Sequence, residues 1–525
     1  MTSFSPLSPD DVLNLVTSSR PTTCPLDPVP SPIFQTIAPD LLPYITSIIN
    51  TSVTSGCVPS ALKSARVTPL LKKPTLDPSD VKNYRPVSLL SFLSKTLERV
   101  VSNQLSLHLS QNNLLDPNQS GFKKAHSTET ALLAVTEALH SAQAASHSAV
   151  LILLDLSAAF DTVNHRLLLD TLADLGIGGT ALKWFSSYLT DRTYQVSWKG
   201  LLSSPRTLHT GVPQGSVLGP LLFSLYTKSL GTIITAHNLS YHCYADDTQL
   251  FLSFPPSATQ VEHRITACLA DISQWMSANH LKLNPDKTEL LFFPAKSSPS
   301  RDLTISIDNN LVTSAPKAKN LGVVLDSQLS FTAHITAVTR SCRFTLYNIR
   351  RIRPFLTQES AQLLIQTSVL SKLDYCNSLL TGLPACALKP LQLIQNAAAR
   401  LVFNQPKFSH VTPLLRSLHW LPVAARTEYK TLMLAFKATK GMAPPYLANL
   451  IAPYKPSRAL RSAEAGKLVV PSLKTPGQRS TRPKLFSLLA PKLWNALPIT
   501  IRTAESLPIF RRNLKTHLFR RHYGS

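Results

Sequence analysis

Tyr244-Ala245-Asp246-Asp247 sets two adjacent carboxylates between two apolar, aromatic-rich runs, Leu239-Ser240-Tyr241-His242-Cys243 before it and Thr248-Gln249-Leu250-Phe251-Leu252 after it. Such runs around a polar doublet read as two strands meeting at a tight turn, with Asp246 and Asp247 at the tip. Two like charges side by side repel each other unless something positive neutralises them. A hard divalent cation is the simplest candidate, because it prefers carboxylate oxygens. Alone, the doublet reads first as a solvated turn, since Asp is common in turns for backbone reasons. A third carboxylate and a substrate would decide for the cation.

Val150-Leu151-Ile152-Leu153-Leu154-Asp155 supplies the carboxylate, 91 residues before Asp246. A fully apolar run of this length implies a strand buried on both faces, at the centre of a sheet. A lone carboxylate at the end of a core strand needs a partner. Three aspartates can hold two Mg2+ ions, one activating an attacking 3′-hydroxyl and the other carrying a triphosphate and its leaving pyrophosphate. Mg2+ keeps water and phosphate oxygens in its shell, so few protein ligands suffice. The plainer alternative for Asp155 is a cap on the helix that follows.

The substrate is suggested by charge. The 525 residues, enough for roughly two to four domains, carry a formal net charge of +24. From Leu391 to Ser525 there are 22 Lys and Arg against 3 acidic residues, so most of the excess lies in the last quarter. A polyanion is the partner this implies. The seven cysteines are odd in number and scattered, with no C-x-x-C pair, which argues against a disulfide framework or a zinc finger and for a reducing compartment. The start Met-Thr-Ser-Phe-Ser-Pro is no signal peptide, and no apolar run reaches membrane-spanning length. Arg511-Arg512 and Arg520-Arg521 offer a nuclear signal or simply a solvated face.

The pattern divides the chain into four parts. Residues 1–54 form a loose Pro/Ser-rich leader with short helices at 11–18 and 41–51. Residues 55–326 alternate strands and helices: a strand at 67–73, a turn at Asn83–Leu90 opening a helix at 91–107, a helix at 128–140, the strand 150–155, helical residues 166–188, a turn at Gly211–Pro220, the hairpin, a helix at 261–279, and strands at 289–293 and 320–326. That order suits an antiparallel sheet with helices on one face, an α+β fold. Residues 327–440 turn all-helical. Residues 441–525 are Pro- and Lys/Arg-rich with scattered aromatics, Tyr446, Tyr454, Phe486, Trp494, Phe510 and Phe519, a composition suited to phosphates and stacked bases.

Three segments in this order resemble successive core motifs of reverse transcriptases: Val150–Asp161, Gly211-Val-Pro-Gln-Gly215-Ser-Val-Leu-Gly-Pro220 and Tyr244–Asp247. Asn83-Tyr-Arg-Pro-Val-Ser-Leu-Leu90 and Gln119-Ser-Gly-Phe122 resemble finger motifs of the non-LTR retrotransposon (LINE-type) branch. Leu283-Asn-Pro-Asp-Lys-Thr-Glu289 and Asn320-Leu-Gly-Val-Val-Leu-Asp326 resemble its later palm motifs. The resemblance implies a right-hand polymerase: fingers and an antiparallel-sheet palm in 55–326, an all-α thumb or connector in 327–440, and a basic nucleic-acid-binding region in 441–525.

By the same resemblance, Asp155 and Asp246 are the principal Mg2+ ligands, with Asp247 beside them, two ions in all and Mn2+ as an alternative. The Leu156 carbonyl adds a metal contact. Phe160 falls at the position whose ring collides with a 2′-hydroxyl, selecting deoxynucleotides; otherwise it is a core residue. Gln214 and Gly215 lie near the incoming nucleotide and template. Lys123 stands where the family commonly has Arg, on the triphosphate, keeping the charge but losing the bidentate fork. Lys287 is a candidate general acid for pyrophosphate. Leu321-Gly322 is the turn that holds the primer end. The partners implied are an RNA template, a DNA primer and dNTPs, with no membrane, and the setting is intracellular, nucleus or cytoplasmic ribonucleoprotein. LINE-type proteins usually carry an endonuclease domain before the polymerase. The leader is too short for one, so the chain reads as truncated there. The expected activity is RNA-directed DNA polymerisation. The alternatives are an inactive or host-adopted RNA-binding relic and an RNA-dependent RNA polymerase, against which Phe160 speaks. Oligomeric state is not legible.

Overall fold

A computed structural model of the chain describes all residues except 157–158, 296–302, 308–309, 456–465, 472–483 and 525. Its strands, in chain order, are β1 (Ser64–Leu71), β2 (Tyr84–Leu89), β3 (Ser148–Leu154), β4 (Thr193–Trp198), β5 (Leu201–Leu202), β6 (Arg206–Thr207), β7 (Ser240–Tyr244), β8 (Asp247–Phe254), β9 (Glu289–Phe293), β10 (Thr304–Ile307), β11 (Asn310–Thr313), β12 (Lys317–Asn320) and β13 (Val323–Asp326). The chain folds into two compact units. One comprises Met1–Phe122, Asp155–Asn238 and Ala267–Pro285; the other comprises Lys123–Leu154, Leu239–Thr266 and Asp286–Ser525. Among the described residues no helix is long and apolar enough to cross a membrane.

The first unit is built on a sheet of order β2-β1-β4-β5, with β6 also on β4. The segment Asn83–Leu90, expected to be a turn opening a helix, is mostly strand β2. Pro86 has no N–H to give a ladder, and β2 tolerates it because it lies at the sheet edge. The helix begins only at Phe92, where the Ser91 side chain accepts from the Ser94 N–H at 3.2 Å. The expected loose leader is folded. Helices Pro9–Ser18 and Ala38–Ser55 bury Val12, Val16, Ile49 and Val53 completely. Phe4 packs edge-on to Trp184 at 5.9 Å, and the Trp184 indole donates to Ser52 Oγ at 3.1 Å. The two helices match the short ones expected at 11–18 and 41–51, each longer than expected. Their apolar residues recur every four positions, which is enough to bury one face.

The second unit is built on an antiparallel sheet of order β7-β8-β3-β9. β3 is flanked on both sides and nearly all buried, as its unbroken apolar run requires. The helix Thr128–Ala144 packs against β3, β7 and β8. Its N-terminus is closed by a capping box between Ser127 and Thr130. Its acids hold later parts of the chain. Glu129 accepts from the Ser378 N–H (3.0 Å) and hydroxyl (2.7 Å) and faces Lys430 at 3.2 Å. Glu137 accepts the Phe486 N–H at 2.7 Å, at the start of the helix Phe486–Asn495. Each buried carboxylate thereby satisfies orphan donors.

After the hairpins β10–β11 and β12–β13 the unit is helical: Thr332–Ile352, Gln358–Ile365, Ala385–Val402, Val423–Thr439, Phe486–Asn495 and Leu507–Tyr523. The helical run Gln358–Asp374 is interrupted by a wide turn at Gln366–Leu370. Helices on both sides of residue 440 share one apolar core, with Phe436 stacked on Phe510 at 4.3 Å.

Candidate functional site

The last pair of the β7–β8 ladder is Tyr244 with Asp247, so Ala245 and Asp246 form a two-residue loop. Ala245 takes the left-handed backbone, φ +57°, that such loops demand. Asp246 is at the tip and half-buried; Asp247 is not at the tip but opens β8, and is exposed. β8 also pairs with β3, and the final pair is Thr248 with Leu154. Asp247 directly precedes Thr248, and Asp155 directly follows Leu154. Within the second unit the register thus sets the start of β8, which Asp247 opens, beside the end of β3. The Asp155 carbonyl accepts the Asn284 N–H at 2.9 Å, and Leu156 bridges to Leu283.

Asp155, Leu156, Phe160, Gln214 and Gly215 belong to the first unit; Lys123, Asp246, Asp247, Lys287, Leu321 and Gly322 belong to the second. In the first, the Gln214 amide donates to both oxygens of Asp161 at 2.9 Å. Burial raises the Asp161 pKa and the Gln214 bond opposes that rise. Gly215 sits at φ +124°, and a Cβ there would lie 2.4 Å from the Ser88 carbonyl oxygen. The close approach that requires glycine is thus to strand β2. The same contact is pinned by the Ser88 N–H, which donates to the Gln214 carbonyl at 2.7 Å. Phe160 is half-buried and stacks on Phe223 at 4.6 Å and 28°.

In the second unit, Lys123 is half-buried in the loop before the helix Thr128–Ala144, and Lys287 is exposed at the end of the short turn Pro285–Lys287. Leu321-Gly322 is the two-residue loop between β12 and β13, with φ +42° and +85°. The single strand expected over 320–326 is therefore a hairpin bend. Three contacts there had no signal strong enough to read in sequence. Asn320 Nδ2 donates to Gln249 Oε1 at 2.6 Å, joining two buried side chains and tying this hairpin to β8. The Tyr375 hydroxyl donates to the Leu321 carbonyl at 2.7 Å. A Cβ on Gly322 would meet the Tyr375 ring at 3.1 Å.

Base-stacking aromatics were expected after residue 440. Phe486, Trp494 and Phe510 are instead buried, and Trp494 and Phe510 stack on each other at 5.6 Å. Their bulk fills the core rather than facing ligand. Tyr454 is exposed, and further exposed aromatics lie earlier, on the helix Thr332–Ile352. Phe344 and Tyr347 are 68% and 62% exposed and are bracketed by exposed Arg340 and Arg351. The spacing of these four residues sets them along one helical stripe, and the helix contains no acidic residue. That spacing was the readable signal, and it was missed.

Among the described residues no group of three or more His, Cys, Asp or Glu side chains gathers into a metal cluster. The aspartates nonetheless fit Mg2+ in donor type, being hard oxygen ligands at strand ends, and Mg2+ needs few of them.

The family described as “Reverse transcriptase (RNA-dependent DNA polymerase)” matches residues 71–325. That stretch is similar to the reverse transcriptase domain, in a chain of mixed helix and sheet, and the relatives it matches are RNA-directed DNA polymerases of mobile elements. The chain is 28% identical over 429 residues to “Probable RNA-directed DNA polymerase from transposon BS” of Drosophila melanogaster, covering 80% of this chain and 46% of that protein. It is 31% identical over 307 residues to “RNA-directed DNA polymerase from mobile element jockey” of the same organism, covering 58% and 33%. To “Probable RNA-directed DNA polymerase from transposon X-element”, also of Drosophila melanogaster, it is 28% identical over 386 residues, covering 71% and 41%. The chain spans between a third and a half of these curated relatives. A solved apo telomerase from Candida tropicalis, truncated from its C-terminal domain, superposes with a TM-score of 0.34 at 12% identity, over 50% of this chain and 55% of that one, too low a score to carry an argument.

Proposed function

We propose that the chain is an RNA-directed DNA polymerase that extends a primer 3′-end with dNTPs on an RNA template. One observation carries this reading within the reverse transcriptase domain: Asp246 occupies the loop of a hairpin whose second strand runs against β3, and β3 leads directly into Asp155. Asp155, Asp246 and Asp247 would hold two Mg2+ ions, which supply charge neutralisation and activation of the attacking hydroxyl when bound. Lys123 holds the triphosphate, Lys287 serves the pyrophosphate, and Leu321-Gly322 seats the primer end.

In this reading the β7-β8-β3-β9 sheet is the palm, β1 and β2 with their helices belong to the fingers, and the helices from Thr332 onward form the thumb. The stripe Arg340, Phe344, Tyr347 and Arg351 faces the template–primer, its arginines on phosphates and its rings on sugars or bases. Exposed Arg511, Arg512 and Lys515 on the helix Leu507–Tyr523 add phosphate contacts. Phe160, braced by Phe223, excludes the 2′-hydroxyl. Gln214 acts on the nucleotide pocket through Asp161.

The test is dNTP incorporation by purified protein on poly(rA)/oligo(dT) with Mg2+. Incorporation of dTTP, with rUTP rejected by the wild type and accepted by Phe160→Ala, is the expected result. RNA binding without incorporation would leave the RNA-binding relic as the better reading.

A further inference from the structure

We propose that Tyr446, about two hundred residues along the chain from the nearest motif it serves, is a positioning residue for the incoming nucleotide. This inference rests on the reading of Lys123 as the triphosphate ligand. Tyr446 stands in the short helix Pro445–Ala448. Its ring meets His242 edge-on at 4.8 Å and 90°, and meets His126 at 5.7 Å and 68°. Its hydroxyl donates to Thr130 Oγ1 at 2.9 Å.

Each of these partners is placed close to a site residue. His242 is buried on β7, two residues before Tyr244 and the Ala245-Asp246 loop. The His126 N–H donates to the Lys123 carbonyl at 3.2 Å, and its Nδ1 donates to the Lys124 carbonyl at 2.9 Å. Thr130 Oγ1 also accepts the Ser127 N–H at 2.9 Å, closing the capping box at the end of the same loop. The loop needs such support, because Ala125 is held at φ +67°, a conformation that costs a residue with a Cβ. Tyr446 is thus a wedge between the loop carrying Lys123 and the strand carrying the carboxylate turn. Burial lowers the pKa of both imidazoles, that of His242 to about 4, so the ring contacts are those of neutral groups that do not change near neutral pH.

A wedge of this kind sets where the lysine stands and takes no part in the chemistry. Its loss appears in nucleotide affinity. Steady-state dTTP incorporation on poly(rA)/oligo(dT) with Mg2+ is to be compared for wild type, Tyr446→Phe, Tyr446→Ala, Lys123→Ala and the Lys123→Ala/Tyr446→Ala double variant. Tyr446→Ala is expected to raise the dTTP KM about tenfold, with kcat and template–primer affinity within about twofold of wild type. Tyr446→Phe keeps the ring between the imidazoles and restores most of the affinity. The double variant behaves as Lys123→Ala alone, because the two residues act through one contact to the nucleotide. An unchanged KM in folded Tyr446→Ala, or additive losses in the double variant, overturns the inference. If Tyr446→Ala does not fold, Tyr446→Leu, which keeps bulk but loses the ring edge and the hydroxyl, is read the same way. Wild-type protein that incorporates no nucleotide overturns the polymerase reading and this inference together; an active wild type with an unchanged KM overturns this inference alone.

Discussion

The β7-β8-β3-β9 sheet and the segment after residue 440 both place aromatic and charged residues close together in sequence, yet they use them in opposite ways. In the sheet, the apolar residues go inward and the carboxylates stand at the strand ends, as the pattern suggested. In the C-terminal segment, three of the aromatics that resemble a nucleic-acid surface, Phe486, Trp494 and Phe510, are core, while Tyr454 is exposed. Phe510 is wholly buried between Phe436 and Trp494. The surface of that description is on the helix Thr332–Ile352, where Phe344 and Tyr347 are exposed among arginines. A strand run specifies its own burial, because period and length fix both faces. An aromatic in a helix does not, since its burial depends on a partner far away in the chain.

The comparison breaks if the C-terminal aromatics are dispensable to folding. Phe510→Ala is expected to cost about 3–5 kcal/mol, seen as an early chemical-denaturation midpoint for the second unit. A binding-surface aromatic would cost almost no stability.

Acid is the next lever. Burial holds His140 and His242 neutral in the folded chain and pushes each pKa down to about 4, with Lys484 adding to the effect at His140. Unfolded, each takes up a proton near its ordinary value of 6.5. Above pH 6.5 neither state is charged at these groups and the burial carries no penalty. As pH falls from 6.5 toward 4, the unfolded chain gains protons that the folded chain refuses. Stability should then fall by up to about 3 kcal/mol per histidine. Denaturation midpoints across pH 4–7 check this, and His242→Gln should flatten part of the slope.

A smaller effect sharpens the other side of the contrast. Tyr347→Ala is expected to weaken template–primer binding by about 1–3 kcal/mol with no loss of stability. Arg340→Gln should weaken it less and lower the salt dependence of binding. Filter binding at two salt concentrations separates these outcomes from the buried-aromatic effect.

The parts legible in sequence were those whose cause is local. Leu151–Leu154 had to be interior, Asp246 had to be at a turn, and Gly215 had to be where backbone comes close. What remained hidden depends on distant neighbours. Pro86 concealed an edge strand, and the leader's Val12 and Val16 became core only by packing. Gln214 proved to hold Asp161, and Asn320 proved to bond Gln249, pairings 53 and 71 residues apart in the chain. No single-segment pattern announces such a pair. Leu321-Gly322 was recognised as a turn, but its support from Tyr375 came from the helical region that follows.

The central claim is that the Asp246 turn is catalytic and not merely a solvated hairpin. Asp246→Asn keeps the size and the loop while removing the charge. Primer extension on poly(rA)/oligo(dT) should be abolished in this variant, while RNA binding and the denaturation midpoint stay at wild-type values. A variant that extends primers at the wild-type rate would contradict the account.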